Sequence, residues 1–251
     1  AREIPAGSLG ERDKRLDHGT MIPLWFLDHY YKDYQVVRIG LSGLPLSMHY
    51  TVGQCIKTVS GLLGRRTAII ASGDLSHKLK EDGPYGFQAE GPQYDSRIMD
   101  VMGRGDFGEL FDFSEEFCSK AAECGHRSFV IMAGALDRLK VKSEKLSYEG
   151  PFGVGYGICT YETECRDPQR NFLDQHEEQV RRAAEERRGK EDAYVGLARQ
   201  TIETYVRARR KITVPKGLPS EMYSEQAGVF VSLKEDGQLR GCIGTIAPVR
   251  G

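Results

Sequence analysis

The chain has 251 residues, 39% hydrophobic and 28% charged, a profile that excludes a disordered or low-complexity polymer. Its 35 Lys and Arg nearly cancel 36 Asp and Glu, so no global field favours nucleic acid or an anionic membrane. No apolar stretch approaches the roughly 20 residues that a spanning helix needs.

The chain begins at Ala1 and stops at "GTIAPVRG" just after a strand-like run, which reads as a piece of a longer protein. The six cysteines (Cys55, Cys118, Cys124, Cys159, Cys165, Cys242) form no C-x-x-C pair and no zinc-finger spacing. They read as reduced thiols of a cytoplasmic protein, packed rather than reactive for the most part.

The first patterned segment is "RLDHGTMIPLWFLDHYY", 15 to 31. His18 follows Asp17 at a turn that leads into an apolar run, where Pro23 is expected to start a helix and Met21, Leu24, Trp25 and Leu27 to pack inward. Two branched runs, "QVVRIGL" (35 to 41) and "RTAIIAS" (66 to 72), read as strands buried on both faces. Between them, 47 to 64 places Tyr50, Val52, Cys55, Ile56, Val59, Leu62 and Leu63 at helical spacing and ends on Gly64. A strand-helix-strand unit of this kind calls for a mostly parallel central sheet flanked by helices.

Helices are expected over 92 to 105, within 106 to 125 and over "HRSFVIMAGALDRLK" (126 to 140), then a strand over "PFGVGYGICTYE" (151 to 162). Residues 1 to 164 thus read as one α/β domain. The segment 165 to 192 is charged throughout, with Glu177/Arg181, Glu178/Arg182 and Arg181/Glu185 at i,i+4 spacing. Its acids match its bases, so it reads as a solvated helical linker rather than a nucleic-acid patch. A second, partial α+β unit runs from 193 to 251. It comprises a helix with Val195, Leu197, Ala198, Ile202 and Val206 inward, and a hairpin turning at Lys234-Glu235-Asp236-Gly237.

Chemistry concentrates in "TAIIASGDLSHKL", 67 to 79. Open parallel sheets bind ligands beyond the carboxyl ends of their strands, and His77 emerges there behind Asp74. An imidazole suits proton transfer near neutral pH, and Asp74 either orients it or caps the next turn. "AAECGHRSFVIMAGAL" brings Glu123, Cys124 and His126 to the mouth of a buried helix, where all three are candidate metal ligands or plain helix-start residues. Cys124 beside an acid should have a raised thiol pKa. By themselves, these residues would compose a two-histidine, one-carboxylate iron site of His18, His77 and Glu123.

"DHGTMIPLWFL", "ASGDLSHKL" and "ECGHRSFVIMAGAL", in that order, with "EDGPYGFQAEGPQYDSRIMDVM" after the second, resemble the catalytic B subunit of class III extradiol ring-cleaving dioxygenases and its Memo-like relatives. "YVGLARQTIETYVRARR", "GLPSEM" and "AGVFVSLKEDGQLRGCIGTI" are similar to the AMMECR family, whose signature is "LRGCIG" with Arg240, Gly241 and Cys242. The pair resembles an AmmeMemoRadiSam-type fusion, which implies a radical S-adenosylmethionine protein as a partner.

The resemblance implies non-haem Fe(II), a small catecholic substrate and O₂, or else a non-catalytic metal-binding or redox scaffold within such a system. His77 becomes the acid/base beside the substrate, and His18 a histidine that either contacts the substrate or stands behind the metal. Asp74 and Asp17 become substrate-side carboxylates, and Tyr85, Phe87 and Trp25 pocket walls. Glu123 becomes a metal ligand, with Cys124 as the alternative one register away. The family's two histidine ligands would lie upstream of Ala1; His29 and His49 do not match them. On this assignment, His77→Ala abolishes oxygen uptake and leaves iron bound. For the AMMECR-like unit, Gly241 suggests close backbone approach, and Cys242 is a nucleophile or a buried small residue.

Overall fold

The structure, a computed structural model, describes residues 15–235 and 238–248. It is a mixed α/β chain with elements α1 (His18–Leu27), α2 (Leu46–Leu62), α3 (Glu90–Arg104), α4 (Glu115–Ala121), α5 (His126–Ala135), β1 (Leu139–Glu149), β2 (Tyr156–Arg166), α6 (Phe172–Gly189), α7 (Ala193–Ala208), α8 (Glu221–Ser224), β3 (Phe230–Glu235) and β4 (Gln238–Gly244). A short 3₁₀ turn, Phe107–Asp112, links α3 to α4. The chain divides into two compact units, 1 to 178 and 179 to 251. None of the described helices is long and apolar enough to cross a membrane.

In the first unit α1 starts five residues before Pro23. Asp17 caps it, its Oδ1 accepting the Thr20 N–H at 2.8 Å. A side-chain cap satisfies an orphan donor of the first turn, and this places the start where proline alone would not. The inward packing expected of α1 is only partly formed, with Leu24 and Leu27 partly covered. Met21 and Trp25 are 51% and 58% exposed, and no α1 residue is buried.

The helix expected over 47 to 64 is present as α2, but its buried face is His49, Tyr50, Thr51 and Gly53 rather than Val59, Leu62 and Leu63. The reason is a close crossing with α5. A Cβ on Gly53 would sit 1.9 Å from the Ile131 carbonyl oxygen, and one on Gly134 would sit 2.0 Å from that of Tyr50. Only the glycine-bearing stripes can approach so closely, so these, not the most apolar stripe, choose the interface. Asp137, just beyond α5, ties the crossing. Its carboxylate accepts from Tyr50 Oη (2.9 Å), Gln54 Nε2 (3.1 Å) and Arg138 Nη1 (3.0 Å).

Among the described residues both ladders are antiparallel pairs, β1 with β2 and β3 with β4. The segments 35 to 41 and 66 to 72 run without a ladder partner, and Val37 is 85% exposed. The expected parallel sheet therefore does not form among these residues. Branched side chains favour extended backbone, but a ladder needs a neighbour presenting matching N–H and C=O groups.

The helix expected to reach 140 ends at Ala135, and β1 follows in a Lys- and Glu-rich stretch that carries no strong strand signal. Alternation shows there only as half-burial on one face. β1 pairs with β2 through Lys142↔Glu162 and Val141↔Thr163, and the hairpin packs on α3. The core gathers Tyr50, Tyr94, Ile98, Val101, Phe107 and Val130. Leu173 in the first turn of α6 is also fully buried there.

In the second unit Asp192 caps α7 by accepting the Val195 N–H (2.8 Å), and Arg199 holds Glu191 at 2.8 Å. The inward face expected of α7 is only partly formed. Leu197, Ala198 and Ile202 are partly covered, and Val195 and Val206 are open. β3 and β4 form the expected hairpin, though Asp236 and Gly237 of its turn lie outside the described residues. All six cysteines are free; Cys118 and Cys159 are partly buried and the other four exposed, so packing accounts for fewer than expected.

Gly134→Ala is expected to lower stability by about 3 kcal/mol or more, because backbone cannot yield as a side chain can. Gly61→Ala, whose Cβ meets nothing within 4 Å, should instead be neutral or stabilising by about 0.5–1 kcal/mol. Urea unfolding midpoints of the two variants check the pair.

Candidate metal site

The site is built on the segment 73 to 79, held from both sides by backbone. The Asp74 carbonyl accepts the N–H groups of Cys124 (3.3 Å) and Gly125 (3.1 Å), and His77 N–H donates to the Ala121 carbonyl at 3.2 Å. On the other side, Leu75 N–H donates to Gly155 O (2.9 Å) and Gly155 N–H to Ser76 O (2.8 Å). A Cβ on Gly73 would lie 2.3 Å from Gly125 Cα, so the two strands of chain touch only because both residues are glycine.

This clamp brings three donors together. His77 Nε2 lies 3.3 Å from Asp74 Oδ2 and 3.9 Å from Cys124 Sγ, and Asp74 N–H donates to that sulfur at 3.2 Å. All three ligand atoms lie within 4.8 Å of one another, the one such group of three among the described residues. Metal bonds of about 2.0–2.3 Å at tetrahedral angles place ligand atoms roughly 3.3–3.8 Å apart. The His77–Asp74 separation matches that spacing and the His77–Cys124 one is slightly longer, while nitrogen, oxygen and sulfur donors together suit a divalent metal. The same spacing argues against a nucleophilic relay. There the imidazole would meet thiol and carboxylate with different nitrogens, whereas here Nε2 faces both. Burial also pushes the Cys124 thiol up, against the Asp74 N–H bond that lowers it, and a raised thiol is a poor free nucleophile.

The other expected residues fall around this cluster. Glu123 accepts the His126 N–H at Oε2 (2.6 Å) and so caps α5; burial raises its carboxyl above the usual range, opposed by the bonds to His126 and Gly125 and by Arg127. It shares a cleft of about 310 Å³ with Cys124, Arg127 and the segment Leu41–Gly43. His18 opens α1 and is exposed. A Cβ on the adjacent Gly19 would lie 3.8 Å from Ser72 Oγ, which sets the start of α1 beside the chain entering Asp74. Asp17 is spent on the cap, and the bonds from Thr20, with Arg38 and His18 adding, hold its carboxyl below the usual range.

Tyr85 stacks on His77, ring centroids 5.1 Å apart. Phe87 closes the neck of the same loop opposite Leu79 and lines a separate groove along α3. Trp25 packs edge-on against His29, 4.4 Å between centroids. His49 is buried with its Nδ1 3.1 Å from Pro45 O. In the second unit Cys242 is exposed and accepts from Ser232 Oγ at 3.3 Å; Gly241 pairs with Leu233, and a Cβ there would meet open space. The close approach and the burial expected of these two are thus not formed among the described residues. Arg240 lies on β4 beside them.

Sequence reasoning missed Asp95 and Tyr148, which shape the segment from behind: Asp95 lies within the quoted "EDGPYGFQAEGPQYDSRIMDVM" but on a helix face with no chemical signal of its own, and Tyr148 stands near no recognisable motif. Asp95 Oδ1 accepts Ser76 N–H at 2.7 Å and Oδ2 accepts Tyr148 Oη–H at 2.8 Å. His126, 2% exposed, is structural. Its Nε2 must donate to the Leu110 carbonyl (2.9 Å), so Nδ1 accepts from Tyr94 Oη (3.1 Å). Burial lowers its pKa from 6.5 to about 4. An imidazole held neutral in the fold and protonated when unfolded makes stability fall as pH drops from 6.5 toward 4. The interval of about 2.5 pH units is worth about 3 kcal/mol. Urea midpoints measured across that window should show the loss in the unsubstituted chain. His126→Gln, which has no imidazole to protonate, should show a correspondingly flatter profile.

Residues 1–159 match the family model described as the catalytic LigB subunit of aromatic ring-opening dioxygenase, and residues 195–251 match AMMECR1. A protein of Clostridium acetobutylicum is 40% identical over 235 residues, which cover 93% of this chain and 50% of that protein. A Thermotoga maritima protein is 46% identical over 61 residues, 24% of this chain and 35% of its own length. One from Methanothermobacter thermautotrophicus is 41% identical over 56 residues, 22% of this chain and 29% of its own. The chain therefore spans half or less of the length of each of these relatives.

Proposed function

Because the chain belongs to the family of the catalytic LigB subunit of aromatic ring-opening dioxygenase, with an AMMECR1 region following, we propose that it is a metal-binding protein of extradiol-dioxygenase type. In this reading Asp74, His77 and Cys124 hold the metal, and the site acts on a small aromatic molecule together with dioxygen. One observation carries it: a carboxylate oxygen, an imidazole nitrogen and a thiol sulfur converge within 4.8 Å. Ferrous iron, the ion the family implies, would supply a Lewis acid and an electron source for dioxygen there.

The chain's own groups then have defined tasks. His77 offers the lone pair of Nε2, which requires the ring proton on Nδ1. Asp74 contributes negative charge, and Cys124 must surrender its thiol proton to act as a ligand. With Nε2 of His77 engaged, proton exchange with a substrate hydroxyl passes to His18, exposed at the start of α1 beside the segment that carries Asp74. Glu123 shapes the wall next to Cys124 through its cap on α5.

A second reading is favoured by the sulfur itself. A thiolate donor suits copper(I) or zinc better than the two-histidine, one-carboxylate set of ferrous oxygenases. On that reading the site is a non-catalytic metal or redox centre, and the AMMECR1 region joins it to a radical S-adenosylmethionine partner.

Anaerobic titration with Fe(II), Zn(II) and Cu(I), followed by oxygen uptake with a panel of catechols, separates the two. One Fe(II) per chain with catechol-dependent uptake supports the oxygenase. Tight Zn(II) or Cu(I) binding without uptake supports the second reading. Groups that merely orient a ligand are worth roughly 10–100-fold in affinity, so His77→Ala and Cys124→Ala should each weaken metal binding by about 100-fold or more. Glu123→Gln should leave it within a few-fold. Unchanged affinity in His77→Ala would remove the imidazole from the metal and return it to the acid/base role.

A further inference from the structure

The loop that leaves the site segment at Leu79 and returns at Phe87 carries an aromatic ring back onto His77. Its neck is closed by the antiparallel bridge Leu79↔Phe87 and by Gln88 N–H donating to Lys78 O at 3.1 Å. Within it Gly83 N–H donates to Lys80 O (3.1 Å) and Gly86 N–H to Gly83 O (3.3 Å). Gly86 takes a φ of +74°, a turn conformation that favours glycine. Lys80 Nζ anchors the loop to Pro151 O at 2.8 Å, and Lys78 Nζ donates to the Tyr85 carbonyl. The loop that carries Tyr85 is therefore held at several points and the Tyr85 carbonyl directly, while Tyr85 itself stays 54% exposed.

The Tyr85 ring lies nearly parallel to the His77 imidazole, 25° between planes and 5.1 Å between centroids. Stacking on a face leaves the ring edge free, and it is the Nε2 edge that meets Asp74 and Cys124. Two constraints then divide the work on one imidazole. The Asp74 carboxylate selects which edge turns inward, and the phenol ring selects the plane.

We propose that Tyr85 is a positioning residue, whose ring fixes the plane of the His77 imidazole and so keeps Nε2 aimed at Asp74 and Cys124 before any metal arrives. The consequence for metal affinity rests on the metal reading of these three residues; the placement of the imidazole does not. A ligand ring held in its bound orientation loses less freedom on binding. Removing the stack should therefore weaken metal binding by about fivefold, the size expected of one exposed aromatic pair.

The test uses the full chain with labelled histidine, free of metal, and identifies the His77 ring signal by its loss in His77→Gln. In the unsubstituted chain and in Tyr85→Phe that signal should carry the upfield ring-current shift of a stacked neighbour; in Tyr85→Leu it should move to the position of an unstacked histidine. Zn(II) titration of the same samples should then show Tyr85→Phe unchanged and Tyr85→Leu about fivefold weaker, at an unchanged thermal midpoint. A His77 signal that ignores Tyr85→Leu overturns the proposal, as does equal Zn(II) affinity in the Phe and Leu variants once the signal has moved. Absence of Zn(II), Fe(II) and Cu(I) binding by the unsubstituted chain would overturn the metal reading instead, and the ring shift decides the placement of His77 by itself.

Discussion

Asp95 is 1% exposed beneath the segment that carries Asp74 and His77, and both of its oxygens are committed, one to the Ser76 N–H and one to the Tyr148 hydroxyl. Burial raises its carboxyl, opposed by those same two bonds. A buried carboxylate is tolerated only when partnered, and its loss would leave the Ser76 N–H without an acceptor, a deficit of about 1–3 kcal/mol. Gly155 makes room for it, since a Cβ there would sit 2.0 Å from Asp95 Oδ2. Ser76 is fully buried too, its Oγ donating to the Ala121 carbonyl at 2.8 Å and accepting Lys78 N–H at 2.9 Å. The backbone between Asp74 and Lys78 is thus held by partners from α3, from the end of α4 and the turn after it, and from the loop before β2, with Ser76 Oγ adding a bond within the segment.

That scaffolding explains why the donors converge although Cys124 lies fifty positions from Asp74 in the chain. The Asp74 carbonyl holds the backbone of Cys124 and Gly125, while the glycine contact at Gly73 and Gly125 sets the distance between the two segments. Glu123 then fastens the start of α5, whose buried face carries His126, Phe129 and Val130 into the core. The site's geometry is consequently coupled to core packing, whereas His18 and α1 stand on an exposed helix with no buried residue. A rigid donor cluster beside a more open proton carrier is the division of labour that the proposed chemistry needs.

Much of this was readable beforehand, with instructive exceptions. "ASGDLSHKL" and "ECGHRSF" already contained the three side chains that the fold brings together. The helices α2, α3, α6 and α7 followed from spacing and caps. Less legible was the face each helix would bury. In α2 the apolar stripe through Val59 and Leu62 lost to the glycine stripe through Gly53, since close approach to Gly134 outweighs hydrophobic content. β1 escaped notice because Lys and Glu dominate it, and its strand character comes from pairing with β2 rather than from propensity.

The sequence by itself determined the family, the order of its two regions and the short list of chemistry-bearing residues, because motifs are local and their spacing survives without coordinates. Only the tertiary structure decided which members of that list meet. It drew Asp74, His77 and Cys124 to one point, turned Glu123 and Asp17 into helix caps, and committed His126 to Tyr94 and Leu110. Those outcomes depend on long-range hydrogen bonds and on contacts permitted by a missing Cβ, and neither leaves a periodic trace along the chain.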